Sequence, residues 1–417
     1  MFISLLRAAV ACMALLLGVA SARAADLTLA EAIDQSLKRN PALLASRYEL
    51  TAAQARVLQA GLRRNPELSV EFENAAGSSE ELETTLSLSH VIELGNKRAL
   101  RYNAALADSD VVSIEQRARQ LDVLAEVTRR FIDVVVAQER VRLAAEAGQL
   151  ARQTLDAINV RVEAARTPVA EGSRARIAVT RAVIEERQAA TALKGARHNL
   201  AASWGDLEPA FTSAQADLFS FAAVQSFPVL LASIERTPDI VFFASQARLR
   251  DAELQVARSR ARTDLTLSLG VRRFEATDDM ALVAGISAPL PVFDRNQGAI
   301  REAYARRVQT DAELQAAQIR LRSTLQATYE EMGAARETVE AIRTEAIPQA
   351  SIALEQVQDG YARGRFSFLE LASAQQELLT LRSAALDAAA DYHRLLAELE
   401  CLTSAPLTVD NAEGPLP

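Results

Sequence analysis

The sequence predicts a mainly α-helical chain with a small β part, a tandem repeat of long helical hairpins plus two β-hairpins. Three observations carry this. Strict alternation of apolar and polar residues is confined to two short stretches, each set between long runs of helix periodicity. The pattern occurs twice: Asn40-Pro41 answers Thr237-Pro238, Arg63 answers Arg260, and Leu68 and Val70 answer Leu265 and Leu267, all at one offset of 197 residues. Between Asn96 and Arg161 there is no proline and one glycine, Gly148, a run that would make a helix roughly 100 Å long if unbroken.

Residues 1–24 read as an export signal. Arg7 precedes the apolar run Ala8 to Ala20, and Ala22-Arg23-Ala24 supplies a small-x-small cleavage pattern. The run is too short to span a bilayer as a helix. Cleavage after Ala24 removes Arg7 and Arg23, which takes the formal charge from −8 to −10. Cys12 leaves with the signal, and it lacks the preceding leucine of a lipoprotein site. Cys401 then remains alone, suited to the role of a small buried apolar residue.

The first repeat covers residues 25–210. Thr28-Leu29-Ala30-Glu31 is a capping box that starts a helix at about Leu29. Asn40-Pro41 ends it and opens the next, with Asn40 as N-cap, which runs to about Arg64 before Asn65-Pro66. The first hairpin has strands at about 67–74 and 82–91 around a Gly77-Ser78-Ser79 turn, and Gly95 closes it. In the long helix that follows, Leu124, Val127, Phe131, Val134, Gln138, Val141 and Ala145 step by three and four, the seam of a coiled coil. Thr167-Pro168 turns the chain into a return helix from about Ala170 to Ser203.

The second repeat covers residues 211–417. Gly205 to Pro228 reads as an irregular connection between the repeats. Strands at about 264–273 and 281–289 flank a turn at Thr277-Asp278-Asp279. A long helix from about Ala299 to Gln358 carries the seam Leu314, Ala317, Leu321, Thr324, Thr328, Glu331, Ala335. Gly360 and Gly364 bracket its turn, the return helix spans Phe368 to about Leu402, and a flexible tail begins at Thr403.

Composition narrows the function. The chain is 49% hydrophobic, 24% charged and only 5% aromatic, and an acidic chain with no basic patch is a poor partner for nucleic acid. His90, His198 and His393 are widely spaced and no motif joins any of them to Cys401, so no catalytic residues, no cofactor and no metal ligands are expected. Only Met280 and Met332 remain after cleavage, too few for a thioether metal store. The reading is that the chain is not an enzyme.

Each strand has the length that crosses a bilayer when tilted, and a membrane leaves no strand edge open. Four strands are too few to close a barrel. Two copies would give eight strands with a filled interior, and three would give twelve with an open lumen. The competing reading is a soluble four-stranded sheet on a helical protein. If Leu68, Val70 and Phe72 face lipid, then Glu67, Glu71 and Glu73 line the lumen and favour cations there; otherwise they are the hydrated face of a strand.

Paired hairpins within a helical repeat resemble the outer-membrane efflux protein (TolC-like) family. Asn65-Pro66-Glu67-Leu68, Leu86-Ser87-Leu88-Ser89 leading to Glu93-Leu94-Gly95-Asn96-Lys97-Arg98, and Pro289-Leu290-Pro291-Val292-Phe293-Asp294-Arg295-Asn296-Gln297-Gly298 resemble its heavy-metal, cobalt–zinc–cadmium type branch. The resemblance implies a homotrimer in the outer-membrane lipid: a 12-stranded transmembrane β-barrel continued by a periplasmic α-helical barrel. It also implies a periplasmic adaptor (membrane fusion) protein and a proton-driven inner-membrane pump of the resistance-nodulation-division (RND) type. The function implied is passive exit of heavy-metal cations. Drug efflux and type I protein secretion remain alternatives within the family, and a soluble periplasmic coiled-coil scaffold outside it.

The family docks its adaptor and closes its pore at the helix-hairpin tips. The matching positions are Arg161, Arg166, Thr167 and Pro168 in repeat one and Tyr361, Gly364, Arg365 and Phe366 in repeat two. Glu370 matches an acidic constriction ring, or is a solvated helix residue. A second acidic position is Ser373 here, and Phe366 replaces a tip arginine of some relatives, so the charge network does not carry over intact.

Overall fold

In a computed structural model, residues 26–74 and 82–404 are described. The export signal with Cys12, the Gly77-Ser78-Ser79 turn and the tail beyond residue 404 lie outside the described residues.

Strand β1 (Asp26–Leu27) leads through a Thr28 capping box into α1 (Leu29–Arg39), and α2 (Pro41–Ala60) follows at once. Sequence reading extends α2 to Arg64, but it ends at Ala60, and the N–H of Gly61 just beyond bonds the Val57 and Leu58 carbonyls. The first hairpin is β2 (Glu67–Glu73) and β3 (Glu83–Ile92). Helix α3 (Lys97–Glu163) is unbroken, and α4 (Val169–Ala202) returns from it. Then come β4 (Ser213–Ala214), α5 (Phe227–Ser233), α6 (Pro238–Arg260), β5 (Leu265–Phe274) and β6 (Asp279–Ser287). Last are α7 (Gln297–Ala341), α8 (Ile347–Ala362) and α9 (Phe368–Thr403).

The chain sorts into two compact units, each drawing on both sequence repeats. One takes residues up to Pro41, Gln120–Leu231 and everything from Thr324; the other takes Ala42–Arg119 and Ala232–Ser323. The second unit holds the four-stranded sheet, in the order β2-β3-β5-β6, with every neighbour antiparallel.

The first unit holds an apolar core in which Phe131 and Val134 of α3 cluster with Leu200 of α4, Trp204, Phe211, Leu218, and Leu386 and Ala390 of α9. Four expectations need correction here. The stretch 205–228 is not a plain connection: Phe211, Ala214 and Leu218 are buried in this core, and β4 pairs in parallel with β1. Gln138, expected in the coiled-coil seam, serves that small sheet instead. Its Oε1 accepts from the Ala214 N–H at 2.7 Å and its Nε2 donates to the Ala214 carbonyl at 2.9 Å, so no buried peptide group of that residue is left unpaired. Around it Ile132, Val135, Val136 and Ala137 are buried as well as the seam residues Phe131 and Val134, because α3 buries a wider face there than a single seam.

The third correction concerns α7. Glu331 is exposed and Met332 is buried in its place. Ala317, Thr328 and Val339, all buried, stand eleven apart, a spacing of 3.67 residues per turn. A seven-residue seam lags behind a straight helix by roughly 20° per repeat, so the expected stripe slips one residue by position 331. Fourth, the helix expected to run on to Gln358 is interrupted by a π-turn at Ile342–Ala346. Pro348 follows it. A proline has no N–H and its ring crowds the carbonyl four residues back, and the wider turn relieves both.

Candidate functional site

The sheet has two chemically distinct faces, set by its register. Leu68 pairs with Leu88, Leu88 with Leu269 and Leu269 with Ala284; Val70, Leu86, Val271 and Leu282 form the next row. These side chains lie on one face and are exposed, Leu68 to 67% and Leu282 to 74%. Apolar rows of this size turned outward on a strand face need an apolar solvent or partner. The opposite face carries Glu67, Ser69, Glu71 and Glu73 on β2, against Ser89, Ser87, Thr85 and Glu83 on β3. The three glutamates therefore share the polar face, as expected.

Arg272 on β5 alters the charge of that face. Its guanidinium forks onto Glu73 at 3.2 Å, reaches Glu83 at 2.9 Å, and donates from Nε to Thr85 Oγ1 at 3.0 Å. Glu73 is thus neutralised in part, whereas Glu67 and Glu71 make no ion pair among the described residues. Arg272 is 199 residues from Glu73, and alternation alone gives no signal for that pairing.

Both long helices leave the sheet through an asparagine in the left-handed region, Asn96 at φ 59° and Asn296 at φ 58°. Asparagine tolerates this backbone better than most other side chains, and the Asn96 and Asn296 carbonyls accept from the Leu100 and Ile300 N–H groups, each at 3.0 Å. The hairpins are tied to α3 by Lys97 on Asp264 at 2.6 Å and by Arg101 on Glu93. Gly95 has φ +72°, and a Cβ there would lie 2.7 Å from Arg262 Cδ.

The two helix-hairpin tips close by the same device. At the α3–α4 tip the Arg166 N–H bonds the Arg161 carbonyl at 2.9 Å and Ala165 is left-handed; at the α8–α9 tip the Arg365 N–H bonds the Gly360 carbonyl at 2.8 Å and Gly364 is left-handed. Arg161 joins them. It donates to the Tyr361 carbonyl, and its guanidinium stacks 4.6 Å from the Tyr361 ring centroid. Tyr361 is buried, its hydroxyl lies 3.5 Å from Glu171, and burial, then that carboxylate, push its phenol above the ordinary value. Arg166, Pro168, Gly364, Arg365 and Phe366 are exposed and Thr167 is half-buried. Gly360 lies inside α8 rather than in the turn: a Cβ would sit 2.1 Å from the Phe366 ring, so its bare backbone seats that ring.

Glu370 is the third residue of α9 and completes a capping box with Ser367. The Ser367 N–H donates to Glu370 Oε2 at 2.7 Å and its hydroxyl at 2.8 Å; the backbone bond, then the hydroxyl, hold the carboxyl below its ordinary value. Glu171 occupies the matching first-turn position of α4. Sequence reading missed it, although its offset from Glu370 is that of Ala165 from Gly364.

The sequence profile of one family, described as outer membrane efflux protein, matches residues 32–206 and 230–404. The chain belongs to the outer membrane efflux protein family. The cobalt-zinc-cadmium resistance protein CzcC of Cupriavidus metallidurans is 31% identical over 360 residues, covering 86% of this chain and 85% of that one. The nickel and cobalt resistance protein CnrC of the same organism is 28% identical over 286 residues, 68% of each chain. The crystal structure of CusC shares the fold, with a TM-score of 0.77 at 17% identity over 91% of this chain and 92% of that one.

As an outer-membrane efflux channel, the protein resides in the cell outer membrane and extends into the periplasm. Members of the family form trimeric channels that work with adaptor and inner-membrane pump proteins. The fold is that of a TolC-like subunit, with a strand part that completes a barrel only with neighbours. No helix among the described residues is long and apolar enough to cross a membrane.

Proposed function

We propose that this protein is the exit duct of a tripartite, proton-driven efflux system whose cargo is divalent heavy-metal cations. The observation that carries the cargo is the 31% identity to a cobalt-zinc-cadmium resistance protein over 86% of the chain. The conduit is passive: the chain performs no catalysis and needs no cofactor, and the driving force comes from the pump. Three copies supply twelve strands, with Leu68, Val70 and Phe72 toward lipid and Glu67, Glu71 and Glu73 toward the lumen, where the charge of Glu67 and Glu71, not offset by Arg272, favours cations. The exposed tip residues Arg166, Thr167, Pro168, Gly364, Arg365 and Phe366 receive the adaptor, while Arg161 and Tyr361 hold the two tips of one subunit together. Glu370 and Glu171 bring negative charge to the same end of the helices, where the pore narrows.

A deletion strain tests this reading. Loss of the gene should raise sensitivity to cobalt, zinc, cadmium or nickel salts, with restoration by the intact chain. Increased sensitivity to drugs with unchanged metal tolerance would reassign the cargo, and release of the protein with soluble periplasmic contents would end the channel reading.

A further inference from the structure

The two repeats differ where they leave the sheet. Repeat one passes from β3 to α3 in four residues, and repeat two passes from β6 to α7 in nine. The additional residues carry exposed apolar side chains: Leu290 at 83% and Phe293 at 91%, both above any apolar strand residue among the described residues, with Val292 at 60% between them. Little on their own chain covers them. The segment is held by its backbone, with the Pro289 carbonyl accepting from Thr263 Oγ1 at 2.9 Å and the Phe293 carbonyl accepting from Gln297 Nε2 at 3.3 Å. An aromatic ring held out in this way is a plug without its socket.

We infer that Phe293, flanked by Leu290 and Val292, seats against the end of α2 in the neighbouring copy of this chain. The inference rests on the trimeric-channel reading above. Strands β2 and β6 are the outer strands of the sheet, and all three ladders are antiparallel. Closing the barrel therefore sets β6 of one copy antiparallel to β2 of the next, which brings the chain leaving β6 beside the chain entering β2. At that entrance lies an open cleft of about 420 Å³, lined by Gln59, Leu62, Arg63, Arg64, Asn65 and Arg101. Leu62 presents exposed apolar surface there, and Leu58 is exposed one turn earlier on α2. The arginines offer guanidinium planes, which stack on aromatic faces. Plug and socket are different surfaces of one chain, so the contact is head-to-tail and closes when the ring of copies closes.

The test places the photo-crosslinking amino acid benzoylphenylalanine at position 293 of the full-length protein in outer membranes. Native mass spectrometry of the same purified sample establishes whether trimers are present. The expected result is a covalent dimer and trimer after irradiation, with the adduct mapped to the peptides around residues 58–65 or Arg101. Phe293→Ala should lower the temperature at which the trimer dissociates on a semi-native gel, and Phe293→Trp should keep it. Trimeric protein whose adduct is on lipid, on its own chain or absent overturns the inference and leaves the channel reading standing. A sample with no trimer overturns both.

Discussion

Single residues at the tips show how much backbone geometry the closures demand. Gly364 has φ +76° and its nearest neighbour to an added Cβ is Arg161 Nη2 at 3.7 Å, so Gly364→Ala meets strain in the backbone and not a clash. That strain is worth about 1 kcal/mol. Ala165 occupies the matching position with φ 56° and already bears it, so Ala165→Gly should relax its tip by a similar amount. Amide hydrogen exchange across each tip measures both. His393 supplies a pH dependence. Its Nε2 lies 3.0 Å from the Leu218 carbonyl and its ring stacks on Phe221; burial is the main cause that holds its pKa down, opposed by that carbonyl and by Asp217. A histidine depressed in the folded state favours the neutral form. Its contribution is complete above the ordinary value near 6.5 and fades as pH falls through that value toward the folded one. Fluorescence of Trp204, the single tryptophan, should report loosening of this unit in mild acid, and His393→Gln should flatten the response. None of these partnerships was visible beforehand. Leu218 and His393, like Gln138 and Ala214, are far apart in sequence, and nothing local marks one for the other.

At the scale of elements, periodicity located the helices and strands, and it failed where a small drift accumulates. Met332→Ala should lower the unfolding midpoint by the equivalent of about 2–5 kcal/mol, because it empties a buried site. Glu331→Ala should stay within about 0.5 kcal/mol, as expected of an exposed position. Equal effects from the two would restore the seven-residue seam and refute the eleven-residue one; thermal unfolding in detergent decides. The strand limits expected from alternation lie within two residues of those observed, since a period of two has no drift to accumulate. The π-turn at Ile342–Ala346 was not anticipated, although Pro348 in the middle of a helical run was a signal for some local exception.

For the whole molecule, the register makes the lipid face and the polar face separately testable. Leu269→Arg puts a charge on the outward apolar row, at a cost of about 2–4 kcal/mol if it lies near mid-membrane, and should reduce assembled channel in outer membranes. Ser89→Arg lies on the other face, directly opposite Glu67, and should leave assembly intact while changing single-channel conductance. If both variants assembled equally, the assignment of faces would be wrong.

The sequence by itself determined the fold class, the tandem repeat and the family, because each is written in patterns that a single chain carries: alternation in the hairpins, the capping box at Thr28, the common offset of 197 residues, and the motifs at Asn65 to Leu68, Glu93 to Arg98 and Pro289 to Gly298. Alternation also put Glu67, Glu71 and Glu73 on one strand face, in agreement with the register, whereas the eight tip positions came from the family resemblance and not from spacing. What those residues touch was decided only by the tertiary structure. Arg272 reaches Glu73 and Glu83, Arg161 clasps Tyr361, and Gln138 serves β4, because packing brings together groups whose separation along the chain bears no relation to their separation in space.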